Sequence, residues 1–359
     1  MNSKGGDMKA LLLMGGFGTR LRPFTITKPK ALLPIVNIPF VSYQFELLRN
    51  YGIDEVVLGI GYKGDEFKKI LGIGKEMGLK IYLSYEKTPL GTGGAIKNAE
   101  RFLKGKEPFF VFNGDIIGNF NLEKILNFHK GKNGYITIVM VKVPDPSSYG
   151  LIITDELMRI KKFIEKPKLE EIITDTINAG IYVLQPEILN EIPENTELSI
   201  EKEVFPVMIE KGKEIYGYIH YGYWLDVGTI DKYRKANFDL IDGKIKLLYR
   251  RTDEKIERKG NSFIDESVSV DEKLIVDDGV IIGENSIFKG DVIIGKKSII
   301  GKNCLVENSI IFENVIIEDN CCIINSIIGD SVFIKKNCEI KNSAIGDNSY
   351  ISEFSKIYQ

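Results

Sequence analysis

The chain has 359 residues, of which 43% are hydrophobic and 27% are charged, and its formal net charge is -2 at pH 7. A chain of this length has room for more than one domain with a buried core. It has no run of about 18 apolar residues, which excludes an ordinary membrane-spanning helix. Its small net charge gives no electrostatic reason to expect a nucleic-acid partner.

The N-terminus lacks the apolar core and the small-residue cleavage site of a signal peptide, and residues 1–7 before Met8 are expected to form a short tail. All four cysteines lie near the C-terminus and none has C-x-x-C spacing: Cys304, Cys321, Cys322 and Cys338. Free, mostly buried thiols in a reducing compartment are the simplest interpretation. We therefore expect a cytoplasmic protein without a membrane partner.

The first part of the chain alternates apolar, strand-like runs with segments of helical periodicity. This alternation predicts a largely parallel sheet with helices on both faces, in which ligands bind beyond the carboxyl ends of the strands. The strand-like runs are MKALLLM, EVVLGI, KIYLSY, FFVFNGD and YITIVMV, and the helical segments are FVSYQFELLRNYG, GDEFKKILGIGKEMG and LEKILNFHK.

The last hundred residues repeat with a period of six. The phase slips by one residue before Ile311 and again before Ile328. This period predicts a parallel β-helix with three faces per coil, whereas a β-sandwich would alternate every two residues. The repeating apolar positions are Ile282, Phe288, Ile294, Ile300, Val306, Ile311, Ile317, Ile323, Ile328, Ile334 and Ile340.

Composition changes between the two parts. Residues 263–359 contain 9 Lys, no Arg and 16 Asp plus Glu, a net of -7, so the preceding residues carry a net of +5. All twelve prolines lie at or before Pro206. We therefore predict a first domain over residues 8–237, a linker over 238–262 and a β-helix domain over 263–359.

A glycine-rich loop follows the first predicted strand directly. It contains Gly15, Gly16, Gly18, Thr19 and Arg20. Glycines let the backbone approach a phosphate closely, and an arginine can bind its oxygens in a bidentate manner. The loop is neither a Walker A sequence nor a dinucleotide fingerprint, and a glycine-rich turn with solvated arginines is the alternative reading.

Eight motifs are spread along nearly the whole chain. They are GGFGTRLRPFTITKPKALLPIVNIPF from Gly15, PLGTGGA from Pro89, FNGD from Phe112, SYG from Ser148, FIEKP from Phe163, NAGIY from Asn178, SIEKEVFP from Ser199 and WLDVGT from Trp224. Together they resemble the motifs of the sugar nucleotidyltransferases, the NDP-sugar pyrophosphorylases, with the mannose-1-phosphate guanylyltransferase branch the most similar. Two positions depart from the family pattern, since Met14 and Gly93 stand where alanine is usual.

The resemblance implies a Rossmann-like nucleotidyltransferase domain with a mixed, mostly parallel sheet, followed by a left-handed parallel β-helix. It also implies that a nucleoside triphosphate (NTP), with GTP favoured, reacts with a sugar 1-phosphate, with mannose 1-phosphate favoured, releasing pyrophosphate. Such a reaction depends on charge neutralisation and in-line positioning.

The resemblance also assigns roles to the nucleotide-binding residues. Arg20 and Lys30 would bind the triphosphate and stabilise charge on the α-phosphoryl group, which makes them candidate catalytic residues. Glu86 and the backbone near Gly91 would contact the base, with Thr92 beside them. A carboxylate can accept hydrogen bonds from N1–H and the amino group of guanine, although Glu86 can equally be read as a solvated loop residue.

Asp115 and Asp226 would bind Mg²⁺ if the fold brings them together, and the alternative is a turn aspartate and a cap aspartate. The third candidate catalytic residue, Lys166, would hold the sugar phosphate. Around the sugar, Glu165 and Asn178 would bind hydroxyl groups, and Gly150 and Gly180 would offer backbone groups.

Other functions remain open. Acyltransferases with a similar β-helix use a histidine there, and residues 263–359 contain none; His129 and His220 lie in the first domain and are expected to be structural. A glucose-1-phosphate nucleotidyltransferase using ATP, UTP or dTTP is an alternative, as is a non-catalytic regulatory subunit that binds a sugar nucleotide. We expect a homo-oligomer, with the β-helix as the contact.

Overall fold

The computed structural model describes residues 8–61, 64–165, 167–249 and 252–358. The chain divides into two compact units. The first contains the stretch that ends at Phe17 together with Val41–Asp226, and the second contains Gly18–Phe40 together with Val227–Gln359. No helix in the described ranges is long and apolar enough to cross a membrane.

The elements before the repeats alternate between strands and helices. Short 3₁₀ helices at Thr19–Leu21, Phe24–Ile26 and Lys30–Leu32 belong to the second unit, and a π-helix covers Ile200–Val204. The strands are β1 Lys9–Leu13, β2 Pro34–Ile35, β3 Ile38–Pro39, β4 Glu55–Ile60, β5 Lys80–Tyr85, β6 Phe109–Asn113, β7 Ile116–Gly118, β8 Ile136–Lys142, β9 Leu151–Thr154, β10 Ile160–Ile164, β11 Thr176–Leu184, β12 Ile215–Ile219 and β13 Trp224–Asp226. The α-helices are α1 Phe40–Asn50, α2 Ile70–Glu76, α3 Gly91–Asn98, α4 Glu100–Leu103, α5 Leu122–Gly131, α6 Phe205–Glu210 and α7 Ile230–Ile241.

Every apolar run predicted to be a strand contains one: β1, β4, β5, β6 and β8. The predicted helical segments contain α1, α2 and α5. These elements form because their apolar residues recur with the period of the element and face a buried core. Strand β1 lies between β4 and β6, and Ala10, Leu11 and Leu12 in it are fully buried.

The main sheet of the first unit is mixed, as predicted. Its order is β10-β9-β11-β6-β1-β4-β5, and β8 pairs with both β11 and β12. The pairs β1–β4, β1–β6, β4–β5 and β8–β12 are parallel, whereas β6–β11, β8–β11, β9–β11 and β9–β10 are antiparallel. Among the described strands, four of these pairs are parallel and four are antiparallel, so the prediction of a mostly parallel sheet is wrong. The cause is β11, which runs antiparallel to its neighbours β6 and β8.

The parallel part of this sheet sets the position of the candidate site. In register, Leu13 of β1 pairs with Gly59 of β4 and with Asn113 of β6, and Ile60 pairs with Tyr85 of β5. The carboxyl ends of these four strands therefore meet at one edge. The loops that follow β1, β5 and β6 leave the sheet together there.

The second unit contains the predicted parallel β-helix, built of three parallel sheets with six strands each. Its strands run from β14 to β31, and every pairing joins a strand to the third one after it. They are β14 Ile256–Arg258, β15 Phe263–Ile264, β16 Ser269–Val270, β17 Lys273–Val276, β18 Ile281–Ile282, β19 Ile287–Lys289, β20 Asp291–Ile294, β21 Ile299–Ile300, β22 Leu305–Glu307, β23 Ile310–Ile311, β24 Ile316–Ile317, β25 Cys322–Ile324, β26 Ile327–Ile328, β27 Phe333–Ile334, β28 Glu339–Lys341, β29 Ala344–Ile345, β30 Tyr350–Ile351 and β31 Lys356–Tyr358.

The repeating apolar positions all point inward, and each is no more than 1% exposed from Ile282 to Ile340. The phase slips have a structural cause. Ile281 pairs with Ile299, 18 residues later, whereas Ile299 pairs with Ile316, 17 residues later. One residue is therefore removed from a corner, and the inward positions keep their stacking.

Residues inside the corners of the β-helix are small and satisfy backbone groups. Ser298 Oγ donates to the carbonyl of Phe312 at 2.8 Å and accepts from the N–H of Val315 at 3.1 Å. All four cysteines are free thiols, and three of them are buried, as predicted: Cys304, Cys321 and Cys338.

The division into compact units differs from the predicted domain limits at residues 237 and 263. Helix α7 continues to Ile241, and β14 at Ile256–Arg258 already pairs with β17 of the β-helix. The second unit also includes Gly18–Phe40, far away in sequence. The limits of the catalytic domain, the linker and the repeat domain stay predictions.

Candidate functional site

The glycine loop begins directly after β1. The N–H of Met14 donates to the carbonyl of Gly59 at 2.8 Å, which continues the pairing of β1 with β4. Met14 is buried, and an added Cβ at Gly114 would lie 3.0 Å from its Cγ. The methionine that replaces the usual alanine is therefore accommodated beside a glycine of the neighbouring strand end.

Gly15 packs closely against the carboxylate of Glu86. A Cβ at Gly15 would lie 2.7 Å from Oε1 of Glu86, whereas a Cβ at Gly16 would meet nothing within 4 Å. Oε2 of Glu86 accepts from the N–H of Leu90 at 3.2 Å. Burial raises the pKa of Glu86, and the Leu90 N–H opposes this rise. The candidate base-binding carboxylate is thus half-buried against the glycine loop.

The candidate base loop at Leu90–Gly94 is fixed by the segment before the π-helix. Gly91 has φ of 66°, and a Cβ there would lie 2.5 Å from the carbonyl oxygen of Leu198. The N–H of Gly93 donates to the same carbonyl at 3.0 Å. A Cβ at Gly93 would lie 2.2 Å from Cδ1 of Leu198, so this leucine occupies the space of the usual alanine methyl group.

A hydrogen-bond network joins the base loop to strand β11. Glu201 Oε2 accepts from Thr92 Oγ1 and from Ser199 Oγ, both at 2.7 Å, and its Oε1 accepts from the hydroxyl of Tyr182 at 2.9 Å. Asn178 Nδ2 donates to the same tyrosine oxygen at 2.8 Å. Burial raises the pKa of Tyr182 well above its ordinary value, and the Glu201 charge adds to the rise. Tyr182 therefore acts as a neutral donor.

The two candidate metal-binding aspartates stand at adjacent ends of two paired strands. Asp115 stands immediately before β7, and Asp226 is the last residue of β13. These strands form an antiparallel pair in which Asp226 lies directly opposite Ile116, the neighbour of Asp115. Residues opposite each other in such a pair have Cα atoms about 5 Å apart, so the backbone segments that carry the two aspartates lie side by side.

This pair fits a hard divalent cation that takes its remaining ligands from phosphate and water. Carboxylate oxygens are the ligands that Mg²⁺ prefers, and one or two of them per ion are usual when substrate phosphates supply the rest. The described residues contain no group of three or more His, Cys, Asp or Glu that would enclose a metal by themselves.

Tyr149 holds one of these carboxylates. Its hydroxyl donates to Oδ1 of Asp226 at 2.9 Å, and its ring packs edge-on against Trp224 with centroids 5.5 Å apart. Trp224 Nε1 donates to the carbonyl of Ala179 at 3.0 Å. The S-Y-G segment, β13 and β11 are therefore linked around Asp226.

The structure brings together four of the five candidate sugar-binding residues. A Cβ at Gly150 would lie 2.6 Å from Oε2 of Glu165, and the carbonyl of Gly150 accepts from the N–H of Asn178 at 2.9 Å. Asn178 Oδ1 accepts from the N–H of Gly180 at 2.9 Å. Gly180 has φ of 74° within an irregular stretch of β11. Lys166, the fifth, lies outside the described residues.

Three residues of this region were missed at the sequence level as individual candidates: Asn113, Tyr149 and Glu201. Asn113 Oδ1 is buried and accepts no hydrogen bond from the described residues, and its Nδ2 lies 2.8 Å from where a Cβ at Gly180 would be. All three stand inside motifs quoted above, beside the residues that were chosen. Their position within a motif was the available signal.

The remaining nucleotide candidates belong to the second unit. Gly18 has φ of 59°, and its carbonyl accepts from Thr25 Oγ1 at 2.8 Å. Thr19 and Arg20 are exposed residues of the 3₁₀ helix at Thr19–Leu21, and Lys30 begins the one at Lys30–Leu32. The turn at Gly18 thus leads directly into the helix that carries Arg20.

Both histidines pack within the first unit. His129 is fully buried, its Nδ1 lies 2.8 Å from Thr137 Oγ1, and burial lowers its pKa to about 4. His220 packs against Phe120 with ring centroids 4.4 Å apart, and burial lowers its pKa as well. Both rings are therefore held neutral.

Comparison with known proteins decides the family. Residues 9–243 match the profile of the family described as nucleotidyl transferase. The chain belongs to the nucleotidyl transferase family. Residues 254–358 match a second profile, the EIF2B subunit epsilon LbH domain, where LbH denotes a left-handed β-helix. The predicted combination of a nucleotidyltransferase domain and a left-handed β-helix is confirmed.

Curated relatives of this nucleotidyl transferase carry a common name. A mannose-1-phosphate guanylyltransferase of Mycobacterium tuberculosis is 39% identical over 66% of this chain and 66% of its own length. A mannose-1-phosphate guanyltransferase of Saccharomyces cerevisiae is 44% identical over 62% and 61%. In both cases the match spans less than two thirds of the relative. Mannose-1-phosphate guanylyltransferase 1 of Arabidopsis thaliana is 39% identical over 74% and 73%.

Solved structures of other proteins share the fold of this nucleotidyl transferase. HddC from Yersinia pseudotuberculosis, complexed with GMP-PN, is 28% identical, with a TM-score of 0.55 over 65% of this chain and 99% of that chain. A putative glucose-1-phosphate thymidylyltransferase from Bacillus anthracis is 25% identical, with a TM-score of 0.58 over 64% and 94%. An NTP and a sugar 1-phosphate fit this family as substrates.

Proposed function

We propose that this nucleotidyl transferase is a mannose-1-phosphate guanylyltransferase, which joins GTP to mannose 1-phosphate and forms GDP-mannose and pyrophosphate. The observation that carries the proposal is the register of β7 and β13, in which Asp226 lies directly opposite Ile116, the residue that follows Asp115. The names of the curated relatives support the choice of GTP and mannose 1-phosphate.

In the proposed reaction, a phosphate oxygen of the sugar 1-phosphate attacks the α-phosphorus of GTP. The new P–O bond forms as the bond from the α-phosphorus to the bridging oxygen breaks, and pyrophosphate leaves with that electron pair. Arg20 and Lys30 hold the triphosphate and offset the charge that develops on the α-phosphoryl oxygens, and Lys166 holds the sugar phosphate. No protein nucleophile is needed, because the sugar phosphate is already ionised.

Asp115 and Asp226 would hold Mg²⁺, which supplies charge neutralisation of the phosphates when it is bound. Tyr149 orients the carboxylate of Asp226 through its hydroxyl. Glu165 and Asn178 would bind sugar hydroxyls, and the carbonyl and N–H groups near Gly150 and Gly180 lie beside them.

Glu86 would recognise the base. Its half-buried carboxylate lies between the glycine loop and the N-terminus of α3, and a charged acceptor with little water around it binds N–H donors strongly. Guanine presents two such donors on one edge, N1–H and the amino group, whereas adenine presents an unprotonated N1 there. Gly15, Gly16, Gly91 and Thr92 would surround the rest of the nucleotide.

Pyrophosphate release tests the proposal most directly. It is measured with Mg²⁺ for GTP, ATP, UTP and dTTP, each crossed with mannose and glucose 1-phosphates. We expect a preference for GTP with mannose 1-phosphate, and loss of turnover in both Asp115→Asn and Asp226→Asn. Asp54→Asn, at an exposed position before β4, is the matched control and should keep full activity.

The other possible outcomes of these measurements lead to different conclusions. A preference for glucose 1-phosphate with another NTP would keep the reaction and overturn the substrates. A folded chain that binds GDP-mannose but releases no pyrophosphate from any pair would favour the regulatory-subunit alternative. Retained turnover in the two aspartate variants would overturn the proposed metal pair.

Base recognition is tested separately by Glu86→Gln. A glutamine keeps the size of the side chain but offers one acceptor in place of two. We expect kcat/KM for GTP to fall about 10- to 100-fold, corresponding to about 1.4 to 3 kcal/mol, with a smaller effect on ATP. The exposed pair partner Glu107 provides the control Glu107→Gln. An equal effect on both nucleotides would remove Glu86 from base recognition.

We also propose that the protein is cytoplasmic and forms a homo-oligomer through its β-helix. The sheet that runs from β15 to β30 carries an outward row of large apolar residues in register, among them Phe263, Ile281, Ile299 and Tyr350, which are 37 to 65% exposed. Light scattering after size exclusion should give more than one chain per particle. The double variant Ile281→Lys and Ile299→Lys should be monomeric, and an unchanged mass would overturn this contact.

A further inference from the structure

One stretch of the second unit connects two parts of the chain that are far apart in sequence. The inserted segment, Gly18–Phe40, packs within this unit on the β-helix and on α7. It carries Arg20 and Lys30, and between these two residues Thr27 and Lys28 contact the β-helix through charged and polar groups.

The contacts at Thr27 and Lys28 form a charged cluster with two aspartates of the last coils. Lys28 Nζ donates to Oδ2 of Asp330 and lies 3.7 Å from Oδ2 of Asp347. Thr27 Oγ1 donates to the same oxygen of Asp347. The ammonium group also lies 5.2 Å from the ring centroid of Phe312, within cation–π range.

This cluster is not an ordinary surface ion pair. The side chain of Asp347 is 3% exposed, that of Lys28 is 18% exposed and that of Asp330 is 30% exposed. Oδ1 of Asp347 also accepts from the N–H of Asp330 at 2.8 Å, which fixes the carboxylate between two coils. Removing the cationic partner of a buried carboxylate strongly destabilises the folded protein, so each charged group of this cluster depends on the others.

Apolar packing fixes the same part of the inserted segment. Phe24 is fully buried, and its ring centroid lies 5.2 Å from that of Phe312, which packs in turn against Tyr233 of α7 at 6.2 Å. A Cβ at Gly346 would lie 2.9 Å from Cβ of Pro23, so the last coil approaches the segment closely. The charged cluster therefore lies beside an apolar contact between the inserted segment and the β-helix.

The other end of the inserted segment is anchored as well. Asn37 Nδ2 donates to the carbonyl of Ile294 at 3.0 Å, and the N–H of Val36 donates to Oδ1 of Asn237 at 2.7 Å. Lys259 Nζ reaches the carbonyl of Val36 at 3.4 Å. Lys30 therefore lies between two anchored points, and Arg20 lies seven residues before the first of them.

From this arrangement we infer that Lys28, Asp330 and Asp347 are positioning residues for Arg20 and Lys30. The β-helix sets the geometry of the triphosphate-binding residues through this cluster, in addition to any role in assembly. The inference rests on the proposed function for the roles of Arg20 and Lys30. It predicts that loosening the cluster impairs turnover without unfolding the β-helix.

The test uses Asp347→Asn and Lys28→Met in the full chain, with Lys28→Arg as the conservative variant. Glu318→Gln is the matched control, because Glu318 pairs with Lys335 between neighbouring coils of the same β-helix. Hydrogen exchange, followed by mass spectrometry, gives a readout that does not depend on activity. We expect faster amide exchange across residues 19–33 in the first two variants, unchanged exchange across residues 281–345 in Lys28→Met, and wild-type exchange in Lys28→Arg and Glu318→Gln.

Kinetics then decide the positioning role. We expect kcat to fall about tenfold or more in Lys28→Met, with recovery in Lys28→Arg and little change in KM for the sugar 1-phosphate. Should Asp347→Asn loosen the last coils, Lys28→Met still tests the cluster, since it leaves the β-helix sequence intact. Unchanged exchange across residues 19–33, or faster exchange with wild-type kcat, would overturn the inference.

Failure of the proposed function is distinguishable from failure of this inference. Absence of turnover in the wild-type chain would overturn the proposed reaction alone. The inference would then be decided by the Kd for GTP of the wild-type chain and of Lys28→Met, measured by equilibrium dialysis. A weaker Kd in Lys28→Met supports it, and equal values overturn it.

Discussion

The phenolic hydroxyl of Tyr149 donates a hydrogen bond of 2.9 Å to Oδ1 of Asp226, and its ring packs edge-on against Trp224 two residues earlier in the same strand. The tyrosine therefore fixes both the carboxylate and the strand that carries it. Partners of this kind orient metal-binding carboxylates, and their loss typically lowers metal affinity or activity about 10- to 100-fold.

Tyr149→Phe isolates the hydroxyl, because the ring and its contact with Trp224 remain. We expect the Mg²⁺ concentration for half-maximal pyrophosphate release to rise about tenfold, with little change in stability. A Mg²⁺ titration of both proteins at saturating substrates measures this shift. Tyr221→Phe, at an exposed tyrosine of the loop before β13, is the control. An unchanged Mg²⁺ requirement would contradict a role for Tyr149 in holding Asp226.

Glu201 accepts hydrogen bonds from the hydroxyl groups of Thr92, Ser199 and Tyr182, and thereby joins the proposed nucleotide site to the proposed sugar site. Glu201→Gln replaces one acceptor oxygen with a donor, so at least one buried hydroxyl loses its acceptor. We expect kcat/KM to fall about tenfold for the NTP and for the sugar 1-phosphate alike. Thr92→Val removes one hydroxyl on the nucleotide side and should raise KM for the NTP only. Identical behaviour of the two variants would contradict the coupling.

Gly93 and Leu198 form a complementary pair. Gly93→Ala places a methyl group 2.2 Å from Cδ1 of Leu198 and should lower the free energy of unfolding of the first unit by about 1–3 kcal/mol. Adding Leu198→Ala removes the clash, so the double variant should be more stable than the sum of the single changes predicts. Urea unfolding followed by fluorescence of Trp224, the single tryptophan of the chain, reports on this unit.

Gly72→Ala is the control for this experiment, because a Cβ at Gly72 in α2 meets nothing within 4 Å. That change should be neutral or slightly stabilising, since alanine favours a helix. Additive effects of Gly93→Ala and Leu198→Ala would show that the loop relaxes around the new methyl group.

His129 makes the stability of the first unit depend on pH. Burial lowers its pKa in the folded chain to about 4, whereas an unfolded histidine titrates near 6.5. The unfolded state therefore binds the proton first as pH falls. The stabilising contribution is complete above about pH 6.5 and is lost progressively toward pH 4, by roughly 3 kcal/mol.

Urea unfolding of the wild-type chain and of His129→Gln, followed through Trp224 at several pH values between 7.5 and 4.5, measures this contribution. The wild-type free energy of unfolding should fall more steeply with decreasing pH than that of the variant. Parallel curves would mean that His129 is protonated without cost in the folded state.

Sequence periodicity predicts the parts of this fold that depend on local patterns. The strands β1, β4, β5, β6 and β8 follow from continuous apolar runs. The inward residues of the β-helix follow from the period of six, and even the phase slips correspond to shortened corners. These patterns predict the structure correctly because the same face of an element is buried along its whole length.

Other features of the fold cannot be predicted from local sequence patterns. The reversed insertion of β11, the membership of the inserted segment in the second unit and the contact of Leu198 with Gly93 each join residues whose partners lie far along the chain. No local period encodes such a pairing, which depends on the shape of the finished core. For the same reason the motifs contain Asn113, Tyr149 and Glu201 but do not indicate the contacts that these residues make.

The separation between Lys28 and Asp330 also has a consequence for biosynthesis. These partners stand 302 positions apart, and Thr27 and Asp347 stand 320 apart. A ribosome that adds about 5–20 residues per second needs roughly 15 to 60 seconds to bridge that distance. The inserted segment therefore leaves the ribosome long before its two aspartate partners do. A nascent chain that stops before residue 330 lacks both aspartate partners, so the anchor of Thr27 and Lys28 forms only after the last coils have been synthesised.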